Sequence, residues 1–198
     1  MRISRFYVVD KLAENQELPL PEKTSHYLLK VLRLKQGTKL VLFNGDGYDY
    51  TAELTAAEKK TAFVSIQQRG EIEPAARLNI HLGIGLSKGD RLDQVLQKST
   101  ELGITELSLL NTEFTAVRFK PEQLEKKMQH WQGIIQSACE QSGRRYLPTL
   151  HPPCSLDQWL RTIRHDLKLV LTPAAASTMK DHQAVNDLAL LVGPEGGS

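Results

Sequence analysis

The amino-acid sequence predicts an α/β protein in two parts, a small β-rich barrel followed by a domain built on a parallel sheet. Three observations predict it. Up to residue 70, short alternating apolar runs flank Asn44-Gly-Asp-Gly47, a turn signal because Asn, Asp and Gly tolerate positive φ. Beyond residue 77, apolar runs such as Leu78-Asn-Ile-His-Leu-Gly-Ile-Gly-Leu86 alternate with helical periodicities, the signature of parallel strands joined by helices. Between them, Glu71-Ile-Glu-Pro-Ala-Ala-Arg77 is polar, contains Pro74 and reads as a linker. The expected division is therefore 1–70, a linker at 71–77, and 78–198.

Each element follows from its own pattern. Phe6 to Val9 is a short apolar strand, and Glu22 to Leu32 places Tyr27, Leu28, Val31 and Leu32 on one helical face. Lys39–Phe43 and Tyr48–Leu54 form the hairpin, and Thr61–Gln67 adds an alternating strand, so several short strands with one helix predict a compact barrel. In the second part the strands are Leu78–Leu86, Ile104–Leu110, Leu167–Leu171 and Leu188–Val192, the last apolar enough to be buried on both faces. A helix from Asp90 to Leu102 turns Leu92, Val95, Leu96, Ser99 and Leu102 inward. A longer one starts at Pro121, repeats Leu124, Met128, Trp131, Ile135 and Ala138, and stops at Gly143; its Met and Trp read as core. Ser155 caps a short helix carrying Leu156, Trp159 and Leu160. His151-Pro-Pro-Cys154 has ligand-like spacing without a second pair and reads as a loop.

Composition excludes several classes of function. The 198 residues are 40% hydrophobic and 24% charged, an ordinary globular balance. No apolar stretch approaches a membrane span, and the N-terminus lacks a signal peptide's pattern, so a cytoplasmic protein is expected. Two cysteines, Cys139 and Cys154, make neither a disulfide framework nor a four-thiolate zinc set, and no metal is expected. The net charge of +2 is unevenly spread: residues 1–70 carry 11 Lys and Arg against 8 Asp and Glu, leaving 14 against 15 in the rest. That N-terminal excess suits a phosphate backbone as well as an ordinary solvated surface.

Gly83-Ile-Gly85-Leu-Ser-Lys88-Gly89 invites a dinucleotide-binding reading, but three residues separate Gly85 from Gly89 where that fingerprint needs two. No Walker motif or serine-nucleophile elbow occurs. Lys88, Arg91 and Lys98 beside Glu101 fit a salt-bridged helix face or a phosphate contact equally well. Glu140-Gln-Ser-Gly-Arg-Arg145 closes the long helix, where two cations either complement the helix dipole or clamp an anion. After Leu188–Val192 comes Gly193-Pro-Glu-Gly-Gly197, which is either plain turn chemistry or bare backbone that a ligand can approach.

Taken in order, Lys88-Gly-Asp-Arg91, Lys98-Ser-Thr-Glu-Leu-Gly103, Glu140-Gln-Ser-Gly-Arg144 with Pro148 behind it, Leu171-Thr-Pro173 and the terminal Leu190-Leu-Val-Gly-Pro-Glu-Gly-Gly197 resemble the RsmE-type 16S rRNA (uracil-N3)-methyltransferase family of the SPOUT superfamily. The resemblance runs from Arg5-Phe6 through His26–Arg33 and Gly45-Asp-Gly47 to the last residue, with GPEGG and EQxGR its specific parts. It implies an N-terminal PUA-like barrel that helps hold rRNA, a C-terminal SPOUT domain that binds S-adenosylmethionine, and a homodimer with active sites near the subunit interface. Leu171, Thr172, Pro173, Leu191, Gly193, Glu195, Gly196 and Gly197 match the family's cofactor loops. Arg144 is the expected catalytic residue, orienting uracil and stabilising its charge, with Glu140 and Gln141 in support and Glu195 as a group that orients the base or accepts its proton. Arg5, His26, Arg33, Lys88 and Arg91 are the expected RNA contacts. Phe114-Thr115 stands where many relatives carry Arg-Ser. The family continues past GPEGG with a helix, the adenine-binding loop and a final helix, so a trefoil knot is expected when that tail is present, and weak cofactor binding from a chain ending at Ser198. The alternatives are a SPOUT enzyme acting on another RNA position and a non-catalytic RNA-binding module.

Overall fold

The computed structural model describes residues 3–58, 60–86, 91–112, 119–175 and 177–193. The chain divides into two units, one formed by Met1–Pro74 with Cys139–Tyr146 and the other by Ala75–Ala138 with Leu147–Ser198. The eight residues around Gly143 thus group with the N-terminal part, a membership that sequence order alone does not suggest.

The first unit is built on strands β1 (Arg5–Tyr7), β2 (Glu17–Pro19), β3 (Lys39–Phe43), β4 (Tyr50–Glu58) and β5 (Thr61–Arg69). They form one sheet in the order β1-β3-β4-β5-β2, with β1 parallel to β3 and the remaining pairs antiparallel. Register shifts at Thr51/Ala52 and Leu54/Ala56 mark bulges in β4, which bend and twist a strand. Leu40, Leu42, Ala52, Leu54, Val64 and Ile66, alternating along their strands, meet in one core with Phe6 and Leu28. The expected hairpin turn is present. Asn44 accepts the Asp46 N–H, Asp46 accepts the Tyr48 N–H, and Gly45 and Gly47 sit at φ 93° and 92°.

The helix after β2 departs from its expected phase. α1 (Glu22–His26) widens into a π-helical turn at Tyr27–Val31, where the Leu32 N–H reaches back five residues to the Tyr27 carbonyl. A turn of that width delays the return of each side chain to the core face. Leu28 is therefore buried, with Leu29 and Leu32 packed beside it, while Tyr27 and Val31 are exposed. Ser25 is buried and satisfied, donating to the Leu20 carbonyl and accepting from the Ala62 N–H.

The second unit carries β6 (Asn79–Gly85), α2 (Arg91–Leu102), β7 (Glu106–Asn111), most of α3 (Pro121–Ser142), β8 (Thr149–Ser155), α4 (Leu156–Thr162), β9 (Leu167–Leu171) and β10 (Asp187–Val192). All five strands are parallel, in the order β8-β7-β6-β10-β9. Their period-two alternation feeds two cores. Leu82, Ile84, Leu107 and Leu109 join Leu92, Leu96, Trp131 and Ile135 of α2 and α3, while Leu110 and Ala189 join Trp159 and Ile163 on the α4 side. Trp159 needs Gly83: a Cβ there would lie 2.8 Å from the indole ring and 3.0 Å from Leu110. Packing thus accounts for the first glycine of the near-miss dinucleotide motif.

Three expectations are corrected. The segment containing His151-Pro-Pro-Cys154 is strand β8 rather than a loop; it lies at the edge of the sheet among the described residues, and its register with β7 shifts between Ser108 and Leu110, so that Pro152 and Pro153 fall in an irregularity between the paired His151 and Cys154. On α2 the buried stripe is Leu92, Leu96, Ser99 and Thr100, leaving Val95 and Leu102 exposed. On α4, Leu160 is likewise exposed and Ile163 takes its place in the core. Ser155 caps α4 as expected, accepting the Gln158 N–H while the Gln158 side chain accepts the Ser155 N–H.

Candidate functional site

Chain order and sheet order together single out one edge of the second unit. From β6 the chain moves outward to β7 and β8, then returns to lay β9 and β10 on the other side of β6. The direction of travel reverses between β6 and β10. In open parallel sheets the ligand crevice lies at such a reversal, outside the carboxyl ends of the strands. Pairing brings the expected cofactor residues there: Val192 stands opposite Leu171 on one side and Ile84 on the other, and Leu191 opposite Val170. Leu171, Thr172 and Pro173 therefore leave the sheet beside Gly193. Val170 and Leu171 are exposed at this edge, and a Cβ on Gly193 would meet no described atom within 4 Å. An apolar wall beside open, unhindered backbone fits the flat base and ribose of a nucleoside-like ligand. Glu195, Gly196 and Gly197 lie outside the described residues, as do Lys88 and Phe114-Thr115.

In the first unit, α3 ends in a loop bonded to the barrel strands. Gly143, at φ 84°, donates to the Cys139 carbonyl and closes the helix. The Glu140 carboxylate accepts the Tyr7 N–H at 3.0 Å, and burial pushes its pKa up. Arg144 is half-buried in the loop that follows. Arg145 donates through its backbone N–H to Glu73, through Nε to Asp49 at 3.1 Å and through Nη1 to the Glu71 carbonyl. Beside this loop a Cβ on Gly47 would collide with the Tyr146 ring, so a glycine is required both by φ and by space. The Cys139 thiol is buried, with its pKa pushed up to about 11 by that burial, and is no nucleophile.

The expected RNA contacts separate into two groups. His26 and Arg33 are exposed in and after the turn that ends α1, and Arg91 is exposed at the start of α2. Arg33 adopts φ 52°. Arg5 differs. Its side chain is only 12% exposed, its fork donates to the Cys139 carbonyl, the Arg144 carbonyl and Asp49, and its guanidinium lies 4.5 Å from the Phe43 ring centroid. A guanidinium so committed faces protein, which corrects the expectation that it faces RNA. Asp49, set in Tyr48-Asp-Tyr50, carries no signal in the sequence, and only its two arginine partners reveal its part.

At the opposite, amino-terminal edge of the parallel sheet lies a cleft of about 830 Å³ lined by His81, Glu106, Ser108, His151, Trp159 and His165, among others. His81, Glu106 and His165 present ligand atoms within 4.8 Å of one another. The hydrogen bonds decide how His81 is used. The Trp159 indole, which can only donate, reaches its Nε2 at 3.1 Å, and the Ser108 hydroxyl stands 2.8 Å from the same nitrogen. Nε2 is thereby an acceptor, so the neutral ring carries its proton on Nδ1, the nitrogen 3.8 Å from Glu106. A metal at Nδ1 would have to displace that proton. Burial lowers the His81 pKa to about 4, in keeping with a neutral ring.

Comparison with known proteins agrees with this architecture. Residues 74–198 match an RNA methyltransferase domain, and residues 20–67 match an RNA methyltransferase PUA domain. The ribosomal RNA small subunit methyltransferase E of Buchnera aphidicola subsp. Schizaphis graminum is 33% identical over 99% of this chain and 80% of its own length. A putative methyltransferase of Legionella pneumophila, solved in complex with bound cofactor SAM, superposes with a TM-score of 0.95 at 40% identity, covering all of this chain and 82% of that one. The ribosomal RNA small subunit methyltransferase E of Neisseria gonorrhoeae, bound to S-adenosyl methionine, gives a TM-score of 0.92 at 35% identity over 99% and 81%. No helix among the described residues is long and apolar enough to cross a membrane. With one family model spanning more than half its length and a relative one-third identical throughout, the chain belongs to the ribosomal RNA small subunit methyltransferase E family of RNA methyltransferases.

Proposed function

We propose that this protein transfers the methyl group of S-adenosylmethionine to N3 of a uridine in the 16S rRNA of the small ribosomal subunit. The observation that carries the reading is the reversal of strand order at β6 and β10, where the exits of β9 and β10 set Leu171-Thr-Pro173 beside the bare backbone of Gly193. The donor's sulfonium supplies an electrophilic methyl carbon. Leu171, Thr172, Pro173, Leu191 and Gly193 hold its nucleoside portion, joined by Glu195, Gly196 and Gly197. Transfer breaks the S–CH3 bond, forms N3–CH3 and releases the N3 proton, so negative charge develops on the uracil carbonyl oxygens. Arg144 orients the base and stabilises that charge through its fork of donors. Glu140 fixes the helix end that delivers Arg144, and Glu195 orients the base or accepts the proton. His26, Arg33, Lys88 and Arg91 supply cationic contacts to the phosphate backbone. The uridine must leave its stack to be reached. A homodimer working on ribosomal particles in the cytoplasm completes the proposal.

The test is methyl transfer from labelled S-adenosylmethionine to small ribosomal subunits from a strain lacking this activity, using the full-length protein, followed by nucleoside analysis. Label is expected in 3-methyluridine, with Arg144→Ala slowing transfer by roughly 10²–10³-fold, the usual cost of removing a charge-stabilising donor. Label in a different nucleoside would overturn the uridine assignment. RNA binding without any transfer would leave a binding module.

A further inference from the structure

We propose that Arg5 and Asp49 are positioning residues that set the backbone from which Arg144 departs. The inference rests on the role given to Arg144 above. It starts from one peptide group, the bond joining Arg144 to Arg145, whose two polar atoms are held from two directions. Its carbonyl accepts from Arg5 Nη2 at 3.2 Å, and its N–H donates to the Glu73 carboxylate. A peptide held at both oxygen and nitrogen has its plane fixed, and that plane determines ψ of Arg144. The preceding turn is fixed as well, because the Cys139 carbonyl accepts both the Gly143 N–H at 3.1 Å and Arg5 Nη1 at 2.7 Å.

The Asp49 carboxylate couples the two anchors. Oδ1 accepts from Arg5 at 2.6 Å and Oδ2 from Arg145 Nε at 3.1 Å, while Arg145 continues to the Glu71 carbonyl. Arg5 is further oriented by its packing against Phe43. Lysine could supply the charge of Arg5 but not its shape: a planar fork serves two carbonyls and a carboxylate at once, whereas an ammonium is a point donor. The loop thereby presents Arg144 from a settled backbone, which lowers the ordering cost of placing the guanidinium on substrate.

The test uses the full-length protein on small ribosomal subunits and compares Arg5→Lys, Asp49→Asn, Arg144→Ala and the Arg5→Lys/Arg144→Ala double variant. Each is first checked by thermal melting and by calorimetric binding of S-adenosylmethionine. Arg5→Lys and Asp49→Asn are expected to lower kcat by about 10–10²-fold, the scale of a misplaced catalytic group, with KM for the particle and cofactor affinity unchanged. The double variant is expected to be no slower than Arg144→Ala alone, because residues acting as a unit are non-additive. If Arg5→Lys does not fold, the same kcat loss and the same non-additivity are read from Asp49→Asn and its double variant with Arg144→Ala. Losses that multiply in the double variant would overturn the proposal, and so would a raised KM with kcat preserved, the result for a direct RNA contact. Wild-type transfer by Arg144→Ala would overturn the role of Arg144 itself, an outcome visible without any Arg5 or Asp49 variant.

Discussion

Acid should destabilise the second unit through His81, and the size of the effect follows from its surroundings. The ring is 7% exposed, its Nε2 is occupied by Trp159 and Ser108, and burial lowers its pKa from 6.5 to about 4. Glu106 and Asp187 oppose that shift, and His151 and His165 reinforce it. Between about pH 4 and 6.5 the unfolded chain takes up a proton at this position that the folded chain refuses, so stability falls as pH drops through that window and levels off below it. A shift of that size corresponds to about 3 kcal/mol in all, most of which accrues between pH 7 and pH 4.5. His81→Gln keeps an acceptor for the Trp159 N–H but cannot titrate. Both tryptophans, Trp131 and Trp159, belong to the second unit, so fluorescence-monitored urea unfolding reports on that unit alone. Wild type should lose about 2 kcal/mol more than His81→Gln on going from pH 7 to pH 4.5. Parallel losses in the two proteins would refute the neutral, hydrogen-bonded assignment of His81.

Two further outcomes follow from the glycines. Gly83→Ala drives a methyl against the Trp159 ring and should cost about 1–3 kcal/mol in the same unfolding assay, the usual penalty for overpacking; an unchanged midpoint would mean that the ring moves aside freely. Gly193→Val meets no described neighbour, so stability should stay within about 0.5 kcal/mol while S-adenosylmethionine binding weakens at least tenfold by calorimetry. Unchanged affinity would remove Gly193 from the cofactor contacts.

Elements whose pattern is purely local were legible in the sequence. The Asn44–Gly47 hairpin, the helix cap at Ser155, β9 with its expected bounds, and the Pro121–Ser142 helix all depend on neighbours within a few residues. Reading failed where a distant partner decides. β8 carries two prolines that argue against a strand, and its place at the sheet edge together with the register shift against β7 permits them. Tyr27 and Val31 turned outward because a π-turn shifts the phase by an amount that apolar spacing does not encode. Of the candidate site, the roles proposed for the cofactor loops and Arg144 rest on motifs, since backbone-reading turns leave a glycine record. Arg5, Asp49 and Glu73 could not be given their parts, because their partners lie up to 139 residues away and charge alone does not reveal direction. The His81 cluster was hidden for the same reason: Trp159 is 78 residues from the ring that it constrains.

The membership of Cys139–Tyr146 in the first unit bears on how the protein is made. When Pro74 leaves the ribosome, the barrel strands are complete but Arg5, Asp49 and Glu73 still lack the carbonyls, N–H and guanidinium that they meet in the finished molecule. At roughly 5–20 residues per second, those partners emerge several seconds later. During that interval Arg5 and Asp49 have only each other, and Glu73 lacks the N–H that it later accepts. Its last ordering step therefore waits for the end of α3, and a peptide stopping at Pro74 should be measurably less stable than the same residues within the whole chain.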